Sequence, residues 1–233
     1  MKIKICLLNV QSGTGFARGY WQQIFFIKSI LPKSSKNIEK ICRIINKEKI
    51  DVLLTTENDA GSLRTNFKDY IELMSRLTKL KYKSFFQTFD IFFANQGNAI
   101  HSSFKVIKRK KYPLFGLWEP RCLGEAVLRI GKKDVPFFIT HLSLSKRKRN
   151  EQIEEIKKIL KNRRRFILAG DFNTPNIRGL GNLNMIKTST TFPSWSPVKR
   201  LDYIFTKDIK VINSYLLNAK KSDHLAIVLE ADI

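Results

Sequence analysis

Six strand-like stretches of this chain bring a polar residue to one end of an apolar run. IKICLLN (3–9) ends at Asn9, and IDVLLTTE (50–57) ends at Glu57. DVPFFITH (134–141) ends at His141, and RRFILAGDFN (164–173) ends at Asp171 and Asn173. RLDYIF (200–205) carries Asp202, and SDH (222–224) carries Asp223 and His224 ahead of a last apolar run. Strand ends that converge on one edge of a β structure make a site held by rigid supports. Taken singly, each has a plainer reading. Asp171-Phe172-Asn173 is turn chemistry, Glu57-Asn58-Asp59 an acidic turn, and His141 an interior histidine. Asp202 resists that reading, because a carboxylate inside an apolar strand is costly without a partner. His224 is the natural partner, since an Asp–His pair fixes the imidazole tautomer.

The remaining pattern sets these runs in one α/β domain, residues 1–233. Ser35 to about Lys47 reads as a helix, with Ile38, Ile41, Cys42 and Ile45 on one face and Glu39 in the first turn. Further helices are expected over about 66–79 and 148–161, and a short one over 20–28. Strands are expected near 82–88 and 98–102, and a hairpin over 123–141 turning at Gly131-Lys132-Lys133. Strands near 201–206, 209–216 and 224–230 close the chain. Strands outnumber helices and several pair as hairpins. The expected architecture is therefore a four-layer sandwich, two mixed β-sheets face to face with helices outside.

Charge narrows the partners. Lys and Arg number 43 against 20 Asp and Glu, a net charge of +23. A long-range field of that sign attracts polyanions: nucleic acid, an anionic lipid surface or a phosphorylated small molecule. Basic clusters occur at 108–111 (KRKK), 146–149 (KRKR), 163–165 (RRR), 199–200 and 220–221; KRKR, 199–200 and 220–221 accompany the site segments, and RRR lies at the far end of its strand. Phe16, Tyr20, Trp21, Phe172, Phe192 and Trp195 are candidates for stacking on bases, or equally for packing. Cys6, Cys42 and Cys122 are too few and too far apart for a disulfide framework or a zinc site, and are expected to be reduced. No apolar run reaches about 18 residues, so no membrane-spanning helix is expected. The N-terminus lacks a signal-peptide pattern, so the expected location is the cytoplasm, with non-classical secretion as the alternative.

The motifs NVQSG (9–13), TE (56–57), GNAIHS (97–102), THLSL (140–144), AGDFN (169–173), RLDYIF (200–205) and SDH (222–224) resemble those of the endonuclease/exonuclease/phosphatase superfamily, in the same order and over essentially the whole chain. The resemblance implies a DNase I-like fold and hydrolysis of phosphoesters. It implies that Glu57 is the main metal carboxylate, with Asn9 holding that ligand set and Asp223 touching the metal directly or through water. The ion would be Mg²⁺ or Mn²⁺, one per site, since the ligands are hard oxygens. Asp171 would orient or deprotonate the attacking water, Asn173 would contact the phosphate, and His141 would be a second phosphate-side group. His224, oriented by Asp202, would stabilise the transition state or pass a proton. Arg18, Arg121 and Trp195 are candidate substrate contacts. Gln11 stands where nuclease members often carry an acid, and His141 where they carry Tyr. The expected activity is a monomeric nuclease acting on DNA or RNA. The alternatives are a phosphoesterase for phospholipid head groups or inositol and sugar phosphates, and a catalytically silent basic nucleic-acid-binding protein.

Overall fold

The computed structural model describes residues 1–14, 34–116, 119–219 and 221–233. The stretch expected as a short helix at 20–28, with Phe16, Arg18, Tyr20 and Trp21, lies outside them, as does Lys220.

Among the described residues the chain forms two six-stranded mixed sheets and three α-helices. The first sheet contains β1 (Lys2–Asn9), β2 (Val52–Asp59), β3 (Tyr82–Ile91), β4 (Ala94–Ser102), β11 (Lys210–Leu217) and β12 (Ala226–Asp232), in the order β11-β12-β1-β2-β4-β3. The second contains β5 (Val106–Leu114), β6 (Arg121–Ile130), β7 (Lys133–His141), β8 (Phe166–Asp171), β9 (Asn184–Met185) and β10 (Asp202–Lys207), in the order β5-β6-β7-β8-β10-β9. Each sheet has one parallel pair at its centre, β1 with β2 and β7 with β8, and antiparallel neighbours outside it. A parallel pair needs a crossover. The connection from β1 to β2 includes α1 (Lys36–Lys47), and the connection from β7 to β8 is α3 (Lys146–Leu160). The third helix, α2 (Tyr70–Thr78), follows β2.

Alternation of side chains along each strand builds the layers. In β1, Ile3, Ile5 and Leu7 face the other sheet and meet Phe137, Ile139, Ile167 and Ala169 there. Cys6 and Leu8 point the other way, into a layer with Ile38, Ile41 and Ile45 of α1 and Tyr70 and Met74 of α2. Phe138 and Leu168 likewise pack outward on Ile153, Ile156 and Leu160 of α3. The central strands are buried on both faces, which is why they read as unbroken apolar runs. The expected sandwich is the one observed.

Three expectations are corrected. The helix expected from about Asn66 begins at Tyr70, because Asp69 caps it by accepting from the backbone N–H groups of Ile71 and Glu72 at 2.8 and 3.0 Å. The strands near 82–88 and 98–102 are longer and form one hairpin, β3–β4, with Ile91 paired to Ala94. KRKK (108–111) lies inside a strand, β5, that its charge had concealed; the strand is at the sheet edge, where lysines are common. The three cysteines are buried and free.

Candidate active site

Parity places the site. In β1 the inward row Ile5, Leu7 continues to Asn9; in β7, Phe137 and Ile139 continue to His141. In β8, Ile167 and Ala169 continue to Asp171, and in β10 Ile204 shares its face with Asp202. Register then aligns them: Asp171 pairs with His141 on one side and with Asp202 on the other. Four inward-facing polar groups therefore meet where the two sheets' central strands end.

Glu57 does not follow that parity, since Val52 and Leu54 face inward and Thr56 would continue their row. The register between β2 and β4 slips between Thr55 and Asn58, and Glu57 takes a left-handed φ of 55°. A bulge of this kind re-aims a side chain. The Glu57 carboxylate reaches the Asn9 amide, whose Nδ2 donates to Glu57 Oε1 at 2.9 Å and to Asp171 Oδ2 at 3.2 Å. Asn9 Oδ1 accepts from the Gln11 backbone N–H at 2.9 Å, which fixes the amide's orientation. Asn9 thus bridges two carboxylates, one from each sheet.

Asp202, His224 and Asp171 form a buried row. His224 Nδ1 lies 2.8 Å from Asp202 Oδ2, and its Nε2 lies 3.8 Å from Asp171 Oδ2. Burial works against a charged imidazole, but Asp202 first, then Asp171 and Asp223, hold the His224 pKa up at about 10. The ring is therefore a cation at neutral pH. Burial, and then the Asp202 charge, push Asp171 up to about 7. Burial pushes Asp223 up to about 6. His141 is the opposite case: burial first, then Arg121 and His224, keep it well below the usual range, so it is neutral. Asn173, with φ of 51°, donates from Nδ2 to Leu142 O at 2.8 Å and lies 3.0 Å from His141 Nε2. Its backbone N–H donates to Asp171 Oδ1 at 2.9 Å. The turn reading of Asp171-Phe172-Asn173 holds, and the turn sets Asp171 and Asn173 beside His141.

The loop before β10 completes the row. Thr191 Oγ1 donates to Asp202 Oδ2 at 2.6 Å, and the Phe192 ring lies 4.9 Å from the His224 ring. Ser222 Oγ donates to the Asn9 carbonyl and accepts from the His224 N–H, tying the SDH turn to β1. Gln11 Nε2 donates to Asp223 Oδ2 at 3.0 Å.

A family model described as "Endonuclease/Exonuclease/phosphatase family" matches residues 6–224, a span that includes every residue of this array. The chain belongs to the endonuclease/exonuclease/phosphatase family. No curated protein matches it. Among solved structures, a family protein from Leptotrichia buccalis is 21% identical with a TM-score of 0.73, covering 99% of this chain and 100% of that one. A mannosyl-6-phosphatase from Bacteroides thetaiotaomicron is 14% identical, TM-score 0.73, with coverages of 99% and 100%. TDP2 of D. rerio, solved with a single-strand DNA product, is 16% identical, TM-score 0.72, with coverages of 100% and 99%. These structures share the fold of this family member. The family is one of hydrolytic phosphoesterases that typically use a divalent metal.

Most of the residues expected at the family's site converge here. Arg121 lines a narrow cleft with Glu57, Thr88, Gln96, Gly97, Asn98 and His141. Trp195 is half-buried on the loop whose Ser194 N–H donates to Asp223 O at 2.6 Å. Arg18 lies outside the described residues. Phe172, a stacking candidate, is a core residue instead, fully buried edge-on to Tyr203 and Phe205. In Arg163-Arg164-Arg165, Arg163 bonds Tyr112 and Glu125 and Arg165 bonds Asp208 O, which are packing roles. His101 is a core histidine held neutral, with burial lowering its pKa to about 4.

Sequence reasoning missed Thr191 and Asn98. Thr191 gives no local signal; only its reach to Asp202 reveals it. Asn98 sits in GNAIHS, and its side chain is 2% exposed with an Nδ2 that no group of the described residues accepts. A buried unmet donor is costly unless something supplies an acceptor. Asn98→Ala is expected to raise KM for a phosphodiester substrate, with turnover lower by about tenfold for a loss of roughly 1.4 kcal/mol. Steady-state kinetics would read this, and unchanged parameters would remove Asn98 from the substrate side.

Proposed function

We propose that this chain is a divalent-metal-dependent phosphodiesterase whose preferred substrate is nucleic acid. The observation that carries the hydrolytic part is the buried Asp202–His224–Asp171 row, joined through Asn9 to Glu57.

The residues fit a divalent cation. Glu57, Asp171, Asp202 and Asp223 bring four carboxylates around one protonated ring, and burial first, then the neighbouring carboxylates, push Asp171 and Asp223 up. Atoms of Asp171, Asp202 and His224 lie within 4.8 Å of one another. That trio is the less suitable holder, because His224 is a cation with Nδ1 already committed to Asp202. Glu57, oriented by the Asn9 amide, and Asp223 offer hard carboxylate oxygens suited to Mg²⁺ or Mn²⁺. When bound, the ion supplies neutralisation of the phosphoryl and leaving oxygens.

The chain's own groups do the rest. Asp171 accepts a hydrogen bond from the attacking water and takes its proton, aided by its raised pKa. His224 holds its proton on the nitrogen facing Asp171 and stabilises negative charge on the phosphoryl oxygens. Asp202, itself held by Thr191, keeps that ring charged and oriented. His141 is neutral and fixed by Asn173, so it contacts the substrate through a hydrogen bond and not a charge. Arg121 and Asn98 face the same cleft and offer donors to the phosphate.

The substrate reading rests on charge and shape. An open groove of about 590 Å³ is lined by Lys146, Arg149 and Glu154 of α3 and by Thr174 and Arg178 of the loop that follows Asn173. The groove and the net charge of +23 suit a strand bearing several phosphates. The test is cleavage of plasmid, single-stranded DNA and RNA with Mg²⁺, beside a panel of phospholipids and sugar phosphates. Cleavage is expected to stop with EDTA, return with Mg²⁺ or Mn²⁺, and be absent in Asp171→Ala. Preference for the small esters would reject the nucleic-acid substrate, and metal-independent turnover the metal.

A further inference from the structure

The tip of the β3–β4 hairpin breaks the rules for a solvent-facing turn. Ile91 pairs with Ala94, which leaves Phe92 and Phe93 as the two turn residues. Such turns favour Asn, Asp and Gly, whose backbones suit the tight reversal and whose side chains are at home in water. Here Phe92 is 65% exposed, and Phe89, Ile91 and Phe93 beside it are exposed as well. Phe67 joins them at 59% exposure, its ring 5.9 Å from that of Phe92, and Phe92 stands edge-on to Phe93 at 5.2 Å. Leu63 N–H donates to the Phe92 carbonyl, so the 3-10 turn Leu63–Thr65 braces the tip. Five large apolar side chains thus stand in water on a supported projection. Leu144 and Val198 are exposed elsewhere in the fold, but here the exposed side chains are grouped, with three rings in contact, and a grouped apolar patch marks function.

We propose that this tip is a membrane-docking element that seats on an anionic lipid surface. Three observations select that occupant. First, the group contains aliphatic Ile91, and its rings meet edge to face and form no parallel platform, which suits a hydrocarbon boundary better than base stacking. Second, the adjoining surface is basic. The edge strand β5 packs against β3, with Lys111 Nζ donating to Gln87 O at 3.1 Å, and Lys108, Arg109 and Lys110 are exposed on the same strand. Asp90 is the one carboxylate of the 88–95 segment. Apolar insertion flanked by lysines is the combination that holds a protein at an anionic bilayer. Third, a second copy of the chain is a poor partner, because two bodies of charge +23 repel.

The position also joins the site. The root of the same hairpin contributes Thr88, Gln96, Gly97 and Asn98 to the cleft with Glu57 and His141. Ala94, where the strand leaves the turn, and Gln96 are two residues apart, about 7 Å of strand. Docking would hold the cleft just above the lipid surface, whichever phosphoester it cleaves.

Flotation of the full chain tests this, with neutral phosphatidylcholine vesicles and with vesicles containing about one-third phosphatidylglycerol. EDTA is included so that turnover does not intervene. The wild type is expected to float with the anionic vesicles and to be released by high salt. The Phe92→Ser/Phe93→Ser variant is expected to lose about tenfold or more in partitioning, with bis(p-nitrophenyl) phosphate turnover unchanged. Phe92→Trp is expected to keep partitioning and to shift its emission to the blue on the anionic vesicles. Failure of the wild type to float, wild-type partitioning by the double variant, or an unshifted Trp would overturn the proposal. A matching loss of single-stranded oligonucleotide binding by the double variant would also overturn it, and assign the tip to nucleic acid. None of these outcomes bears on the hydrolytic site, which the small diester reads separately.

Discussion

His224→Ala is expected to lower phosphodiester turnover by about 10²–10⁴-fold, the range over which positioned proton donors and acceptors act. Two losses combine. The protonated ring 3.8 Å from Asp171 disappears, and with it the positive group aimed at the phosphoryl oxygens. Asp171 is then buried without the counter-charge that holds its pKa down, so its carboxyl is driven further towards the neutral form. A protonated Asp171 cannot take a proton from water. Asp202→Asn separates the two effects. It keeps the ring but removes the strongest influence that raises its pKa, so the ring falls from about 10 towards its ordinary value. The imidazole NMR resonances of Asp202→Asn should then titrate near neutrality, and turnover should fall with rising pH as the ring loses its charge. A His224→Ala enzyme with near wild-type turnover would exclude the row from catalysis.

Gly170→Ala is expected to be the most damaging single methyl addition near the site. Gly170 precedes Asp171 in β8 and pairs with Thr140 of β7. A β-carbon there would lie 2.1 Å from the Thr140 carbonyl oxygen and 2.9 Å from its carbon. Those atoms belong to a central parallel ladder and cannot turn aside as a flexible side chain would. Overpacking of this kind costs about 3 kcal/mol or more, on the order of 10 °C in Tm for a domain of this size. The shift required also moves Asp171 relative to His141, so turnover at low temperature should fall even where the chain stays folded. Thermal denaturation and kinetics on the same sample would check both. A Tm within a degree or two of wild type would mean that the β7–β8 pairing yields to an added methyl group.

Much of the site was legible because alternation is a local property. The apolar rows of β1, β7, β8 and β10 have period two, so a reader can see that Asn9, His141, Asp171 and Asp202 share the buried face. The Asp202–His224 pair was legible for an energetic reason: a buried acid requires a partner, and few were on offer. Helix ends were less legible, since the Asp69 cap outweighs the apolar pattern that seemed to start at Asn66. The β5 strand was hidden because an edge tolerates the charges that a central strand excludes.

The sequence by itself determined the layers, the family pattern and the types of the groups at the candidate site, since those follow from side-chain period and from the cost of burying charge. Only the tertiary structure decided which of them meet. Glu57 reaches Asn9 through a register slip and a left-handed backbone that no alternation predicts. Thr191 reaches Asp202 across a loop, and Asn98 acquires its place in the cleft from the strand beside Glu57. Such contacts depend on pairing between residues far apart in the chain, and that pairing is fixed by the packing of whole sheets rather than by any local preference.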